Sequence, residues 1–158
     1  MGRREARQLA AQAMYAYAID ASPIESVLDR LFRLENDPEG WRFRVGDTPW
    51  AAQLCRATCE HIQYIDDKLG AVVEHWRPER LAVVDRALLR LAACELLYFP
   101  EIPPRVTLNE YIDLAKRLGD EQSPAFINGV LQKILEQNPK PDAGELDKRR
   151  KKKARRRQ

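Results

Sequence analysis

The chain has 158 residues, 44% hydrophobic and 32% charged, enough for one domain with a real core. The net charge of +3 hides an asymmetry: residues 148–158, KRRKKKARRRQ, hold nine Lys/Arg and no acid, which leaves 18 basic against 24 acidic residues elsewhere, a body of −6. No apolar run approaches the ~20 residues that span a bilayer, and no apolar stretch follows the arginines of MGRREARQ; a membrane span and a secretory signal are excluded, and a cytoplasmic location is the expectation.

Apolar residues at helical spacing dominate, and alternating strand patterns are absent. A first helix runs from about Arg3 to Ile19, with Ala6, Leu9, Ala10, Ala13, Met14 and Tyr17 on one face. Its opening turns carry Arg3, Arg4 and Arg7, at the end where the helix dipole is partly positive. Each mismatch costs roughly a few tenths of a kcal/mol. An anion seated there would remove it, since guanidinium forks and free N–H groups suit a phosphate. Plain solvated arginines beside Glu5 are the alternative.

Ser22-Pro23 starts a second helix through Val27, Leu28, Leu31 and Phe32. Residues 35–48 have no period and read as a loop. Thr48-Pro49 starts a third helix, with Leu54, Thr58, Ile62, Ile65 and Leu69 on one side and Gly70 as a point of interruption before Trp76. Cys55 and Cys59 lie one turn apart, but with no paired C-x-x-C the thiols read as buried rather than zinc-binding. Pro78 opens a fourth helix, from Glu79 to about Tyr98, whose broad apolar surface makes it central. A fifth spans about Arg105–Leu118, with Gly119 as a C′ cap.

The sixth helix begins at Ser123-Pro124, with Ser123 as N-cap, and ends near Gln137. Its first turns leave unpaired N–H donors and place Phe126 third, as core or as a stacking platform for an unpaired base. An interior Gly129 costs ~1 kcal/mol against alanine. Close approach of another helix is the favoured compensation, and backbone approach to a ligand is the other. The fold class is therefore all-α, a compact bundle of six to seven helices over residues 1–138, followed by a disordered basic tail over 139–158. That tail suits salt-sensitive, non-specific nucleic-acid binding or simply solubility.

No two glycines stand close enough for a nucleotide-binding loop, and neither His61 nor His75 has a catalytic partner in sequence. Catalytic residues, metal and cofactors are therefore expected to be absent, and an enzyme is disfavoured.

Three stretches carry a resemblance. The pattern R-R-x-A-R-x-x-A-x-Q-A-x-Y is met by Arg3, Arg4, Ala6, Arg7, Ala10, Gln12, Ala13 and Tyr15. Residues 80–97, RLAVVDRALLRLAACELL, hold D-R-A-x-L-R-x-A-x-x-E-L, and LNEYIDLAKRLGDEQSPAFINGVLQKI holds N-E-x-x-x-x-A-K followed by F-I-N-G-V-L-x-K. In that order they resemble the NusB transcription antitermination factors over about residues 3–136. The resemblance implies an all-helical protein that binds boxA-type single-stranded RNA of ribosomal RNA leaders together with NusE, a small-subunit ribosomal protein, in an antitermination complex on RNA polymerase. It implies RNA binding by Arg3, Arg4, Arg7, Ser123 and Phe126, and NusE docking by Tyr15 and Asp85, with Arg90 and Glu95 paired inside the bundle. Pro124-Ala125 depart from the basic or polar residues that relatives often carry before the aromatic. An interaction module that forms a homodimer through the RNA face, without RNA sequence preference, is the alternative.

Overall fold

The computed structural model describes residues 3–32, 48–141 and 151–157. Seven α-helices pack together: α1 (Arg3–Asp20), α2 (Ile24–Phe32), α3 (Thr48–Glu60), α4 (Ile62–Val72), α5 (Val83–Tyr98), α6 (Pro104–Leu118) and α7 (Ser123–Gln137). No strand occurs among the described residues, so the all-α expectation holds. Most of the loop expected at 35–48 lies outside the described residues, Thr48 itself opening α3.

The expected third helix is two. It breaks at His61, whose backbone leaves the helical region and whose ring stacks on Tyr98, centroids 4.0 Å apart. The Thr58 hydroxyl donates back to the Leu54 carbonyl at 2.7 Å, a bond that bends helices. Gly70, the expected interruption, lies inside α4. The fourth helix starts later than expected: Pro78–Arg80 form one 3₁₀ turn, Leu81 and Ala82 are extended, and α5 begins at Val83. Arg86 donates to the Pro78 carbonyl at 3.0 Å and holds that turn against α5.

α5 is the axis of the bundle. Leu88, Leu89, Leu91, Ala92, Ala93 and Cys94 are fully buried, and α1, α3, α4, α6 and α7 all pack on it. A buried leucine side chain contributes about 1.5–3 kcal/mol through lost apolar hydration. Alanines let α1 lie close to its neighbours: Ala10 and Ala13 are buried, as is Ala51 of α3. α2 packs on α1 and α3, and Arg30 with Asp20 ties the α1–α2 turn at 2.5 Å.

Two glycines reverse their expected roles. Gly129 is exposed, and a Cβ there would meet nothing within 4 Å, so helix packing does not explain it. Gly119 is not a left-handed cap, since its φ is −94°. It is required for space: a Cβ would lie 2.5 Å from the Ser123 hydroxyl and 2.9 Å from the Ala115 carbonyl. In the C-terminal tail, read from the sequence as disordered, residues 151–156 are helical and exposed along their length. Lys, Arg and Ala are all good helix formers, and this stretch needs no core to adopt the conformation. Residues 142–150 of that tail lie outside the described residues.

The thiols sit inside the bundle. Cys55 donates to the Ala10 carbonyl and Cys59 to the Met14 sulfur. Burial pushes the Cys59 thiol up to about 11 and the Cys94 thiol to about 12. Folded values above unfolded ones mean that this contribution to stability is complete below pH 9 and is lost as pH rises through 11 and 12. A thiol-reactive dye at pH 8 should therefore report no free thiolate until denaturant is added; fast labelling of the native chain would refute the buried placement. Gly129→Ala should raise the free energy of unfolding by about 1 kcal/mol. Gly119→Ala should lower it by about 1–3 kcal/mol through overpacking. Urea midpoints of the two variants, compared with the native chain, test both signs at once.

Candidate nucleic-acid and partner interface

The α1 opening does not present three free arginines. Arg7 is buried with its side chain 3% exposed, and its Nη2 lies 2.7 Å from Glu95 Oε1. Its Nε donates to Glu95 Oε2 at 2.9 Å, and Thr107 Oγ1 donates to the same carboxylate at 3.3 Å. Burial pulls the Arg7 guanidinium down, but hydrogen bonding and charge from Glu95 more than restore it, so it stays charged. Arg7 is thus engaged inside the bundle by Glu95. The expected Arg90–Glu95 pair does not form: Arg90 donates to Asp66 at 2.9 and 2.8 Å. Glu95 is fully buried, and the arginine that reaches it comes from the adjacent α1.

Arg4 is exposed and forks onto Glu110 of α6 at 3.2 and 3.3 Å. Hydrogen bonding from Glu110, then its charge, raises the pKa of Arg4. Arg3 is exposed, its Cζ 5.1 Å from the Trp50 ring, with Arg7 Cζ 5.2 Å from the same ring. A cation–π contact leaves the guanidinium edges open to a ligand. Lys140 donates to the Glu95 carbonyl at 3.1 Å, so the chain after α7 returns to this same end of α5.

The α7 opening is also different from expectation. Ser123 is the first helical residue, 1% exposed, and the cap is Asp120. The Asp120 carboxylate accepts from the Gln122 N–H at 2.8 Å and the Ser123 N–H at 3.0 Å. The Ser123 hydroxyl accepts from the Asp120 N–H at 3.1 Å. The chain's own carboxylate thus takes two N–H donors at this helix start. Ser123 is buried and engaged by Asp120 at the helix start.

Phe126 is half-buried, neither core nor free platform. It lines an open cavity with Val73, Trp76 and Leu81 as apolar walls and Arg77 and Arg80 on the rim. Sequence reasoning missed Trp76, Arg77 and Arg80. The signal was present as WRPER, an aromatic interleaved with basic residues ahead of a helix. The two helix openings are not brought together. Arg7 meets Glu95 while the Phe126 cavity borders the segment before Val83, about 18 Å apart along α5.

Tyr15 lines a groove that Asp85 does not, although Asp85 follows the groove residue Val84 in sequence. Tyr15, 43% exposed, lines it with Ala11, Gln12, Val84, Leu88 and Leu118. Asp85, in the first turn of α5 next to Val84, is 8% exposed, and its Oδ1 is buried without a hydrogen-bond partner. The helix dipole favours an acid at that position, yet a buried oxygen lacking a donor calls for a partner. Among the described residues no three His, Cys, Asp or Glu side chains are grouped to hold a metal ion, and no helix is long and apolar enough to cross a membrane.

The NusB family model matches residues 4–136. The chain is 39% identical over 144 residues to the transcription antitermination protein NusB of Desulfitobacterium hafniense (strain DSM 10664 / DCB-2), covering 90% of this chain and 93% of that one. Among solved structures it resembles T. maritima NusB at 32% identity with a TM-score of 0.74, over 86% of this chain and 92% of the other. It shares its fold with a structure of the antitermination factors NusB and NusE in complex with dsRNA, at 24% identity and a TM-score of 0.75, over 86% of this chain and 97% of that chain.

Removing the Arg7 side chain strands the Glu95 carboxylate. Arg7→Ala should destabilise the fold by about 3–5 kcal/mol, whereas replacing Arg7 and Glu95 together by apolar residues of similar volume should cost less than Arg7→Ala alone. Urea unfolding of the single and double variants measures the difference; an Arg7→Ala chain as stable as the parent would refute the structural role.

Proposed function

The chain belongs to the NusB family, and from that premise we propose that it is an RNA-binding transcription antitermination factor of the cytoplasm. It binds boxA-type single-stranded RNA together with NusE and joins an antitermination complex on RNA polymerase. No bond is made or broken; the mechanism is assembly.

The observation that carries this reading is the buried Asp85 carboxylate, one oxygen unpartnered, one residue after Val84 of the Tyr15 groove. An acid in that state lacks a donor, and a basic ribosomal protein supplies one. The apolar groove floor gives the partner area to bury, and the acidic body attracts it from a distance. The RNA is held by Arg3 and Arg4 at the α1 opening and by Phe126. Arg4 exchanges one anion for another when a phosphate displaces Glu110, a surface trade of small net energy. The domain occupies residues 1–138, and the basic tail over 139–158 adds sequence-independent phosphate contact.

Asp85→Asn removes the orphan charge without changing shape. It should leave the melting temperature unchanged or raise it, while weakening NusE binding by at least about tenfold. Tyr15→Ala should weaken NusE binding in the same direction. Calorimetric titration of NusE into each variant decides: unchanged affinity in both would remove the groove from the partner interface. Titration of boxA-type against scrambled RNA, with NusE present, tests the RNA half. Equal affinities, with a dimer in gel filtration that RNA does not disturb, would favour the interaction module instead.

A further inference from the structure

Arg3 and Arg4 are neighbours at the opening of α1, yet the fold meets them differently. Arg4 forks onto an acid, Glu110, and Arg30, Arg56 and Arg90 likewise find carboxylates. Arg3 is exposed, and among the described residues no acid pairs with it. What meets it is the ring of Trp50, near the start of α3, with the Arg3 Cζ 5.1 Å from the ring centroid. That ring is half-buried and held by buried neighbours. The Arg7 Cζ lies 5.2 Å from its centroid, and Arg7 is fixed in turn by the Glu95 carboxylate. Phe99, 5% exposed, packs against it edge to face, centroids 6.0 Å apart at 65°. A line of contacts thus runs from the buried ion pair through one indole to one exposed cation.

We propose that Trp50 is a positioning residue for phosphate binding at the α1 opening: its ring holds the Arg3 guanidinium ready for an RNA phosphate and itself touches no nucleotide. The inference rests on the RNA-binding half of the proposed function, and within it on Arg3. An acid holds a guanidinium by occupying its donors and neutralising its charge. An aromatic face holds it by the charge alone, so the N–H edges stay free and the cation stays uncompensated. A loose arginine gives up rotamer freedom when it grips a phosphate, whereas one already stacked has given up part of it beforehand. The two arginines therefore bind differently: Arg4 must first leave Glu110, and Arg3 has nothing to leave. The Arg7–Glu95 pair gains a second consequence, because the guanidinium it fixes helps to fix the ring.

The test is a double-mutant cycle on the full-length chain, read by titration with a short fluorescent single-stranded RNA at several salt concentrations. Trp50→Leu, Arg3→Ala and the two together are compared with the parent, with Trp50→Phe as the variant that keeps a ring. Melting temperatures serve as the folding control, and Trp50→Met repeats the cycle should the leucine variant melt below the assay temperature. Arg3→Ala should bind about fivefold more weakly and lower the salt slope by about 0.7, one single-strand phosphate. Trp50→Leu should bind about threefold more weakly with the slope kept, since Arg3 still reaches its phosphate but from a freer start. Trp50→Phe should recover most of that loss. In the Arg3→Ala background, Trp50→Leu should change affinity by less than about 1.5-fold. Equal weakening by Trp50→Leu in both backgrounds would mean that the ring touches RNA itself or only supports the fold, and overturns the inference. So does a phenylalanine variant no better than the leucine one, or RNA binding indifferent to Trp50 or to Arg3 in a parent that binds, and in those cases the RNA-binding reading stands. If the parent binds no RNA, that reading falls and takes this inference with it.

Discussion

The buried contact between Arg7 and Glu95 is the constraint on which the rest of this bundle depends. It joins α1 to the central helix, Thr107 adds α6, and Lys140 ties the chain leaving α7 to the same turn of α5. Desolvating two charges is costly, and their attraction offsets that cost only because the fork is bidentate and a hydroxyl completes it. Such a pair sets register more than it adds stability: only one alignment of α1 against α5 satisfies both charges. That alignment delivers Arg3 and Arg4 to one end of α1 and Tyr15 to the groove further along it.

The second theme is the chain's own carboxylates. Asp120 fills the anion position at the start of α7, Glu110 answers Arg4, and Asp66 answers Arg90. A helix start or an arginine cluster in the sequence is therefore not yet an anion site; whether it is depends on which acid the fold brings to it. The cations that escape this neutralisation mark the surface more sharply than the arginine-rich opening does. Arg3 lies over Trp50, and Arg77 and Arg80 border the Phe126 cavity.

α5 also separates the candidate sites in space. The Glu95 end holds the α1 opening, and the Val83 end holds both the Phe126 cavity and Asp85. Tyr15 reaches that second end because α1 runs antiparallel to α5, pairing Arg7 with Glu95 and Tyr15 with Val84. The Tyr15 groove and the Phe126 cavity thus both border the start of one helix. Gly129 remains exposed and open on α7; it has no packing role in the free chain.

The sequence by itself determined the all-α class, because apolar residues at three- and four-residue spacing bury one face of a helix and of nothing else. It also determined the bounds of α6 and α7, marked by prolines and Gly119, and the family, through three ordered motifs. Only the tertiary structure decided that Arg7 turns inward to an acid 88 positions away, that Asp120 and not Ser123 caps α7, and that Gly119 and not Gly129 is needed for space. It also decided that Trp76, Arg77 and Arg80 meet Phe126. The reason is the range of the forces. Periodicity records neighbours within one helical turn, whereas burial and the pairing of charges are settled between segments that are distant along the chain and touch only once the helices have packed.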